Sequence, residues 1–594
     1  MRAPHRRIPT ACRRFVRDED GSMVIFGMFL LVMMLIVAGI SVDAMRFESQ
    51  RAQLQGTLDR AVLAAADLDQ TRNAEDVVRD YFAKAGLLDR LTSVTVQETF
   101  NSRTVSATAE TGLDTYFMKM AGVPRLTAQG ASTAREIISD IEIILVLDVS
   151  GSMLANNRMV NLRTAATEFV QVVLQNDTEN RISIGLVPFN GQVNLGPALR
   201  AWYTGIHDVV TSPANVNCVD LPPSVYGVQT IPRNQVMPAT QHADTFSTTT
   251  RQNSYYGWND TSRATVQLTN VWCPPSTTNV VRLPMRNIAQ LQSHINNLTA
   301  VGATSINAGM RWGMTLLDPA SRGMFNHFIS TGQIPSFFAG RPYDWRRENT
   351  LKVIVLMTDG EHFAEERVND GYRGNTVSPI WRSTDSTANY SIFHESRVDR
   401  SNATTLANSR PFWVPHLAQW HARPWNGTAP ANNVPYTEGS LRRIDVNGDG
   451  VCNNADDGRG NLKSNEACWW GANAQTWAQV WANVRMHWVA WQLYGRPLHT
   501  TASGRAAIAD AMMNAFRTRT DTNDMDRQLR QMCDRARAEG VIVYGIAFEA
   551  DPGGERELEY CASSPGHYFD AQGLEIRTAF RAIAAQINQL RLIQ

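Results

Sequence analysis

IEIILVLDVSGS, residues 141–152, carries two unlike signals in twelve positions. Residues 141–149 are almost continuously apolar, as a parallel strand is when helices cover both its faces. The run meets Asp148 near its end, and the polar turn Ser150-Gly151-Ser152 follows at once. Outward from it, 158–174 (RMVNLRTAATEFVQVVL) has helical apolar spacing and 181–190 (RISIGLVPFN) reads as a second strand. Residues 288–298 read as helix, and 299–319 (TAVGATSINAGMRWGMTLLDP) as a loop entering another helix. LKVIVLMTD, 351–359, is again a buried strand ending in an aspartate; 526–539, 541–549 (VIVYGIAFE) and 576–592 then supply helix, strand and helix. This alternation predicts an α/β class domain over 140–594, a doubly wound, Rossmann-like sheet with right-handed crossovers.

Two stretches are too long for ordinary connections, about 200–285 and 362–510, and read as insertions. The first is rich in Pro, Asn, Thr and Tyr, with partially ordered loops as the alternative. The second holds much of the tryptophan. There Trp470, Trp477, Trp481, Trp488 and Trp491 crowd one interval, and Trp477, Trp481, Trp488 and Tyr494 can share a helical face, which suggests core packing before docking. His362 and His394-Glu395 read as polar loop residues.

The chain has 594 residues, 43% hydrophobic and 19% charged, which excludes wholesale disorder. Its 56 basic residues balance 56 acidic ones, so nothing global points to nucleic acid; four of the basic residues are lysines, Lys84, Lys119, Lys352 and Lys463. Residues 22–42, SMVIFGMFLLVMMLIVAGISV, have no formal charge, and as a helix they span about 30 Å, the thickness of a bilayer core. Arg2, Arg6, Arg7, Arg13, Arg14 and Arg17 precede the span, against Asp18, Glu19 and Asp20, whereas the far side balances Asp43 and Glu48 with Arg46 and Arg51. The positive-inside rule puts residues 1–21 in the cytoplasm as a basic tail, 22–42 in the inner membrane, and the rest in the periplasm. A cleaved signal peptide or a buried helix are the alternatives; the length and the helical continuation favour a retained anchor. Residues 43–135 then form a helical stalk and a small α+β module, with a break near Asp69 and a hairpin over 94–111. Six of the seven cysteines lie beyond the span, in couples that suggest disulfides 218–273, 452–468 and 533–561; Cys12 precedes it.

The chemistry gathers at strand ends. Asp148, Ser150 and Ser152 leave the first strand, Thr304 precedes a helix, and Asp359 ends the strand 351–359. Ligands of open α/β sheets bind beyond those ends. Carboxylate and hydroxyl oxygens are hard donors, suited to Mg²⁺ or Mn²⁺. Singly these residues could be a turn, a helix cap and a strand exit. A second loop, 445–456, follows calcium-loop grammar through Asp445, Asn447, Asp449, the Val451 carbonyl and Asp456, with Gly450 at the turn. Ca²⁺ there would be structural, ordering an insertion with little core of its own; a solvated turn is the alternative. HExxH, GxSxG, GxxxxGK[ST] and CxxC do not occur.

The chain resembles a von Willebrand factor type A domain. The metal-ion-dependent adhesion site of that family has the pattern DxSxS, then threonine, then aspartate, and here these are Asp148, Ser150, Ser152, Thr304 and Asp359. Only the spacing departs, through the insertions. FVRDEDGSMVIFGMF…GISVDAMRFESQRAQLQGTLDRAVLAAA, 15–66, resembles the start of TadG-like proteins of the Tad/Flp pilus-assembly system, and CDRARAEGVIVYGIAFEA…LEYCASSPGHYFDA their C-terminal half. The resemblance covers about 15–200, 286–361 and 525–594. It implies an inner-membrane-anchored, non-enzymatic protein for pilus assembly or anchoring, with pilus machinery or a pilus component as protein partner. A surface adhesin and, behind it, a metal-dependent hydrolase are the other readings. Prepilin-like members carry a glutamate five residues after the cleavage glycine; counting from Gly21 gives Phe26, so no such cleavage is expected.

Overall fold

The computed structural model describes residues 20–593 apart from 68–69, 71, 99–101, 138–139, 176, 246–267, 269–270, 348, 429–434 and 437–471. Two compact units result, 1–139 with 589–594, and 140–588.

In the first unit one helix runs unbroken from Asp20 to Ala66, 47 residues. Among the described residues it is the one helix long and apolar enough to cross a membrane. Its apolar residues from Met23 to Val37 are exposed, whereas Leu54, Leu58, Ala61, Val62 and Ala65 are buried. These last pack with Val77, Val78 and Phe82 of the helix Ala74–Lys84, which Asn73 caps through the amides of Glu75 and Asp76. They also cover an antiparallel sheet, Leu91–Glu98, Ser102–Asp114 and Arg125–Ile137. The sequence predicted a hairpin here, and the third strand is an addition. RLTAQGASTAREI presents small and polar residues, so its period of two is faint. Its Gly130 is small because the helix passes close: a Cβ there would lie 2.8 Å from Leu58 Cδ1.

The second unit holds a six-stranded sheet in the order Tyr568–Ala571, Ile542–Phe548, Thr350–Thr358, Asp140–Asp148, Ile182–Phe189, Arg282–Met285. The first five are parallel, as expected of a doubly wound sheet; the last is antiparallel. Every residue of Asp140–Asp148 is buried. Gly309 and Gly313, one turn apart on the helix Ile306–Leu317, press it onto this strand. A Cβ on Gly313 would meet Val146 at 2.8 Å, and one on Gly309 would meet Phe189 at 2.7 Å. The alternate residues Ile143, Leu145 and Leu147 face the other way. The helix Arg158–Leu174 packs with Ile288–Asn296 and, through Phe169 on Phe580 at 5.7 Å, with Glu575–Ile593.

Cys218–Cys273 and Cys533–Cys561 are disulfides. Cys452 and Cys468 lie outside the described residues, as do Trp470 and the whole 445–456 loop with Asp445, Asn447, Asp449, Val451 and Asp456. The first insertion is more than loop. Leu221, Val225, Tyr226, Ile231 and Met237 enter the main core.

The second insertion corrects the expectation of little internal core. It builds an antiparallel five-stranded sheet, Gln419–His421, Phe412–Val414, Tyr390–Phe393, Val377–Ser383 and Ala472–Thr476. Trp477, Trp481, Trp488 and Trp491 are buried there with Ile380, Ile392, Leu493 and Phe516. They do not share one helix: Trp477–Trp481 stops, and Met486–Trp488 runs into a π-helical turn, Val489–Gly495. Glu365–Val368 pairs with Arg517–Thr520, so the insertion closes beyond residue 510. Burial, and then Arg517 and Arg485, pull the His487 pKa from 6.5 down to about 4. The unfolded chain then binds the proton more readily, so stability falls as pH drops from about 6.5 towards 4. We expect His487→Gln to remove roughly 3 kcal/mol of this acid lability, read from thermal unfolding at pH 7 and pH 4.

Candidate metal-binding site

Parallel strands deliver their carboxyl ends to one edge of the sheet, and three loops meet there. Asp148 is fully buried; its Oδ1 accepts the Ser150 amide at 2.7 Å and its Oδ2 the Thr358 hydroxyl at 2.5 Å. Ser150 Oγ, Ser152 Oγ and Asp359 Oδ1 form a triangle with sides of 2.8, 2.7 and 3.4 Å. The Thr304 loop docks against both others. Gly151 N–H donates to Gly302 O at 2.9 Å, Val301 N–H to Val149 O at 2.8 Å, and Phe363 N–H to Thr304 O at 2.9 Å. Glycine eases the approach at Gly151, where a Cβ would stand a tight 3.2 Å from the Gly302 carbonyl, and suits Gly302, whose φ is +87°. All five residues read from the sequence therefore lie in three mutually bonded loops. Four are joined by direct side-chain or side-chain-to-amide hydrogen bonds, and Thr304 is held by its backbone.

The electrostatics are unbalanced. Burial, and then the charge of Asp359, push the Asp148 pKa up to about 7. The groups acting most on Asp148 are Asp359, Thr358 and Ser150, with no basic side chain among them. Burial also raises Asp359, against the pull of Ser152 and Arg158. Arg158 Nη1 donates to Asp359 Oδ2 at 2.9 Å and Nε to Glu549 Oε2 at 2.9 Å. Burial works against the Glu549 charge, but Arg158, Asn156 and the Gly573 amide hold its pKa below the ordinary value. Asp359 and Glu549 thus share one guanidinium while Asp148 has none beside it, and Arg158 leaves the serine-facing oxygen of Asp359 to the cluster. Neighbouring oxygens around an octahedral Mg²⁺, with bonds of roughly 2.0–2.1 Å, stand about 2.9 Å apart. Two sides of the triangle come close to this spacing and the third, at 3.4 Å, is wider; with hard donors and two buried aspartates these residues fit such an ion. No group of three or more His, Cys, Asp or Glu able to hold a metal occurs among the described residues.

Sequence reasoning missed Thr358, Arg158 and Glu549. Glu549 directly follows the strand Ile542–Phe548, the signal that identified Asp359. Arg158 starts its helix straight after Asn156 and Asn157, whose φ of 50° and 57° turn the serine loop back. His362 does more than fill a loop. Its Nε2 accepts the Asn307 amide at 3.1 Å, so Nδ1 carries the proton donated to Asp526 Oδ1 at 2.7 Å. It ties the loop after Asp359 to the helix behind Thr304. His394 is buried, its Nε2 2.8 Å from the Leu493 carbonyl.

Residues 21–68 match the family model "Putative Flp pilus-assembly TadE/G-like". The N-terminal segment is TadE/G-like, as its sequence suggested. No curated protein matches the chain. Among solved structures the chain is similar to the vWF domain of the type V pili tip protein Mfa5 from Porphyromonas gingivalis, at 12% identity, over 77% of this chain and 98% of that one, with a TM-score of 0.28. It is also similar to the adhesive tip pilin GBS104 from Group B Streptococcus agalactiae, at 12% identity over 75% and 99%, with a TM-score of 0.26. For the pilus adhesin SpaC from Lactobacillus rhamnosus GG the values are 10%, 83%, 33% and 0.26.

Proposed function

We propose that this chain is a non-enzymatic component of a Tad/Flp pilus system. In this reading the 22–42 helix anchors it in the inner membrane, with the cytoplasmic tail behind and the large domain in the periplasm. Asp148, Ser150, Ser152, Thr304 and Asp359 hold Mg²⁺ (or Mn²⁺), and the ion offers a partner protein's carboxylate an electrophilic point. The observation that carries the cation reading is the oxygen triangle backed by two buried carboxylates, short of positive charge. The TadE/G-like segment supports the pilus assignment.

The protein's own groups have separable tasks. Ser150 and Ser152 supply neutral donors, so two aspartates do no more than balance a divalent ion, which stays electrophilic towards an incoming anion. Arg158 and Glu549 brace Asp359 from outside. His362 positions the Thr304 helix and has both nitrogens engaged, which favours binding over general-base chemistry. Capture from detergent-solubilised membranes, with and without chelator, tests the proposal. Chelator-sensitive recovery of pilus-machinery proteins is expected. Extracellular partners alone would favour the adhesin reading, and capture indifferent to chelator would remove the cation's role.

A further inference from the structure

A second feature of the first unit has no part in the site above. The Thr115–Val123 turn between two strands leans on the long helix where the apolar span ends. Asp43, wholly buried, accepts the backbone amides of Tyr116 at 3.1 Å, Phe117 at 2.7 Å and Met118 at 2.9 Å. One turn earlier on the same helix face stands Gly39, and a Cβ there would lie 2.4 Å from Phe117 Cγ. Arg46 lies over the Tyr116 ring at 4.3 Å. The turn is thus fixed to one level of the helix. Gly39 precedes Val42, the last residue of the uncharged span, by about 4.5 Å of helix rise. Phe117 therefore packs at the depth of the span's final turn.

What this turn shows to its surroundings is unusual for a surface loop. Tyr116 is 69% exposed, Met120 82%, Phe117 43% and Val123 37%, with Lys119 exposed among them. Large apolar and aromatic side chains with one lysine are the composition of a membrane–water interface, where rings sit at headgroup level and lysine reaches outward. The turn meets the helix at Gly39, next to the run of large exposed apolar residues that ends at Val37.

We propose that the Thr115–Val123 turn is a second membrane contact, an interfacial anchor that seats Tyr116, Phe117 and Met120 in the leaflet from which the helix emerges. The inference rests on the reading of residues 22–42 as a membrane span. Together the two contacts fix the tilt of the stalk, because one helix alone is free to lean whereas a helix and a lateral foot are not. The occupant of the patch is lipid, and a protein cover is an outcome of the test.

The test uses the full chain in vesicles of phosphatidylethanolamine and phosphatidylglycerol. Met120→Cys, Tyr116→Cys, Leu31→Cys and Gln97→Cys are each labelled with an environment-sensitive fluorophore, and the labelled parent serves as blank. Lipids carrying a nitroxide near the headgroup or at the tail end act as quenchers. Loss of fluorescence at positions 120 and 116 to the shallow quencher, with position 31 quenched and position 97 not, is the expected result. If position 31 is quenched but 120 and 116 are not, the interfacial anchor is overturned and the spanning helix stands. A shielded label at 120 that no lipid quenches means a protein cover, and also overturns it. If position 31 escapes quenching too, the span itself fails and the proposal with it.

Discussion

Asp148→Ala should lower Mg²⁺ affinity by at least ~100-fold, since even loss of a residue that merely supports a ligand can cost that much. The domain should stay folded. Asp148 gives up two hydrogen bonds, to the Ser150 amide and the Thr358 hydroxyl. The same substitution relieves a buried carboxylate that burial and Asp359 already disfavour. Proton linkage gives the effect a second signature. Without cation, the folded pKa of Asp148 stands at about 7, above its ordinary value, so between these limits the folded protein binds more protons than the unfolded chain. Stability of the chelated protein therefore falls as pH rises towards about 7. Cation binding needs the deprotonated form, so Mg²⁺ affinity should climb over the same window and level off above it. Asp148→Asn keeps the side-chain shape and should weaken both trends, leaving what Asp359, whose pKa burial also raises, contributes. Calorimetric titration of the three proteins across that range decides the matter, and an unchanged affinity in Asp148→Ala would defeat the assignment.

The five residues of this cluster were legible because each sits where periodicity changes: a buried run stops, or a helix is about to start. Asp148, Ser150 and Ser152 are also neighbours in sequence, so their convergence costs no topological assumption. Their charge partners were not legible. Arg158 and Glu549 lie 391 residues apart, and nothing local distinguishes that arginine from any other first-turn residue. The glycines at 309 and 313 look like weak points in a helix until the strand beneath them is known. The tryptophans show the opposite case. The burial of Trp477, Trp481, Trp488 and Trp491 was foreseen from side-chain type, but the single helix was not formed, because Asn483, Val484 and Arg485 interrupt it between Trp481 and Met486. In the N-terminal unit the third strand escaped because Ala128, Gly130 and Ser132 give alternation without hydrophobic contrast.

The strand that presents Asp148 is itself held by buried charge at its other end, and there the largest stability effect is expected. Glu142 stands opposite Lys352 in the register of two adjacent central strands. Lys352 Nζ donates to Glu142 Oε2 at 2.5 Å and to the Leu317 carbonyl at 2.8 Å, while Glu142 Oε1 accepts the Tyr343 amide at 3.0 Å. Both side chains are buried. Burial pulls the Lys352 pKa down, and Glu142 counters it. Glu142→Leu should cost roughly 3–5 kcal/mol, because it leaves a buried ammonium without its carboxylate. Lys352→Met should cost less, since Arg341 still lies 4.0 Å from Glu142. The double variant replaces the pair by apolar groups and should recover much of the loss, so the two single effects will not add. In Glu142→Leu the lysine can escape by shedding its proton. Its folded pKa then falls further below the unfolded value, the unfolded chain binds more protons, and stability should rise with pH. Denaturant midpoints of the four proteins at two pH values complete the cycle. A Glu142→Leu protein as stable as the wild type at both would mean that the strand is held by its apolar packing alone.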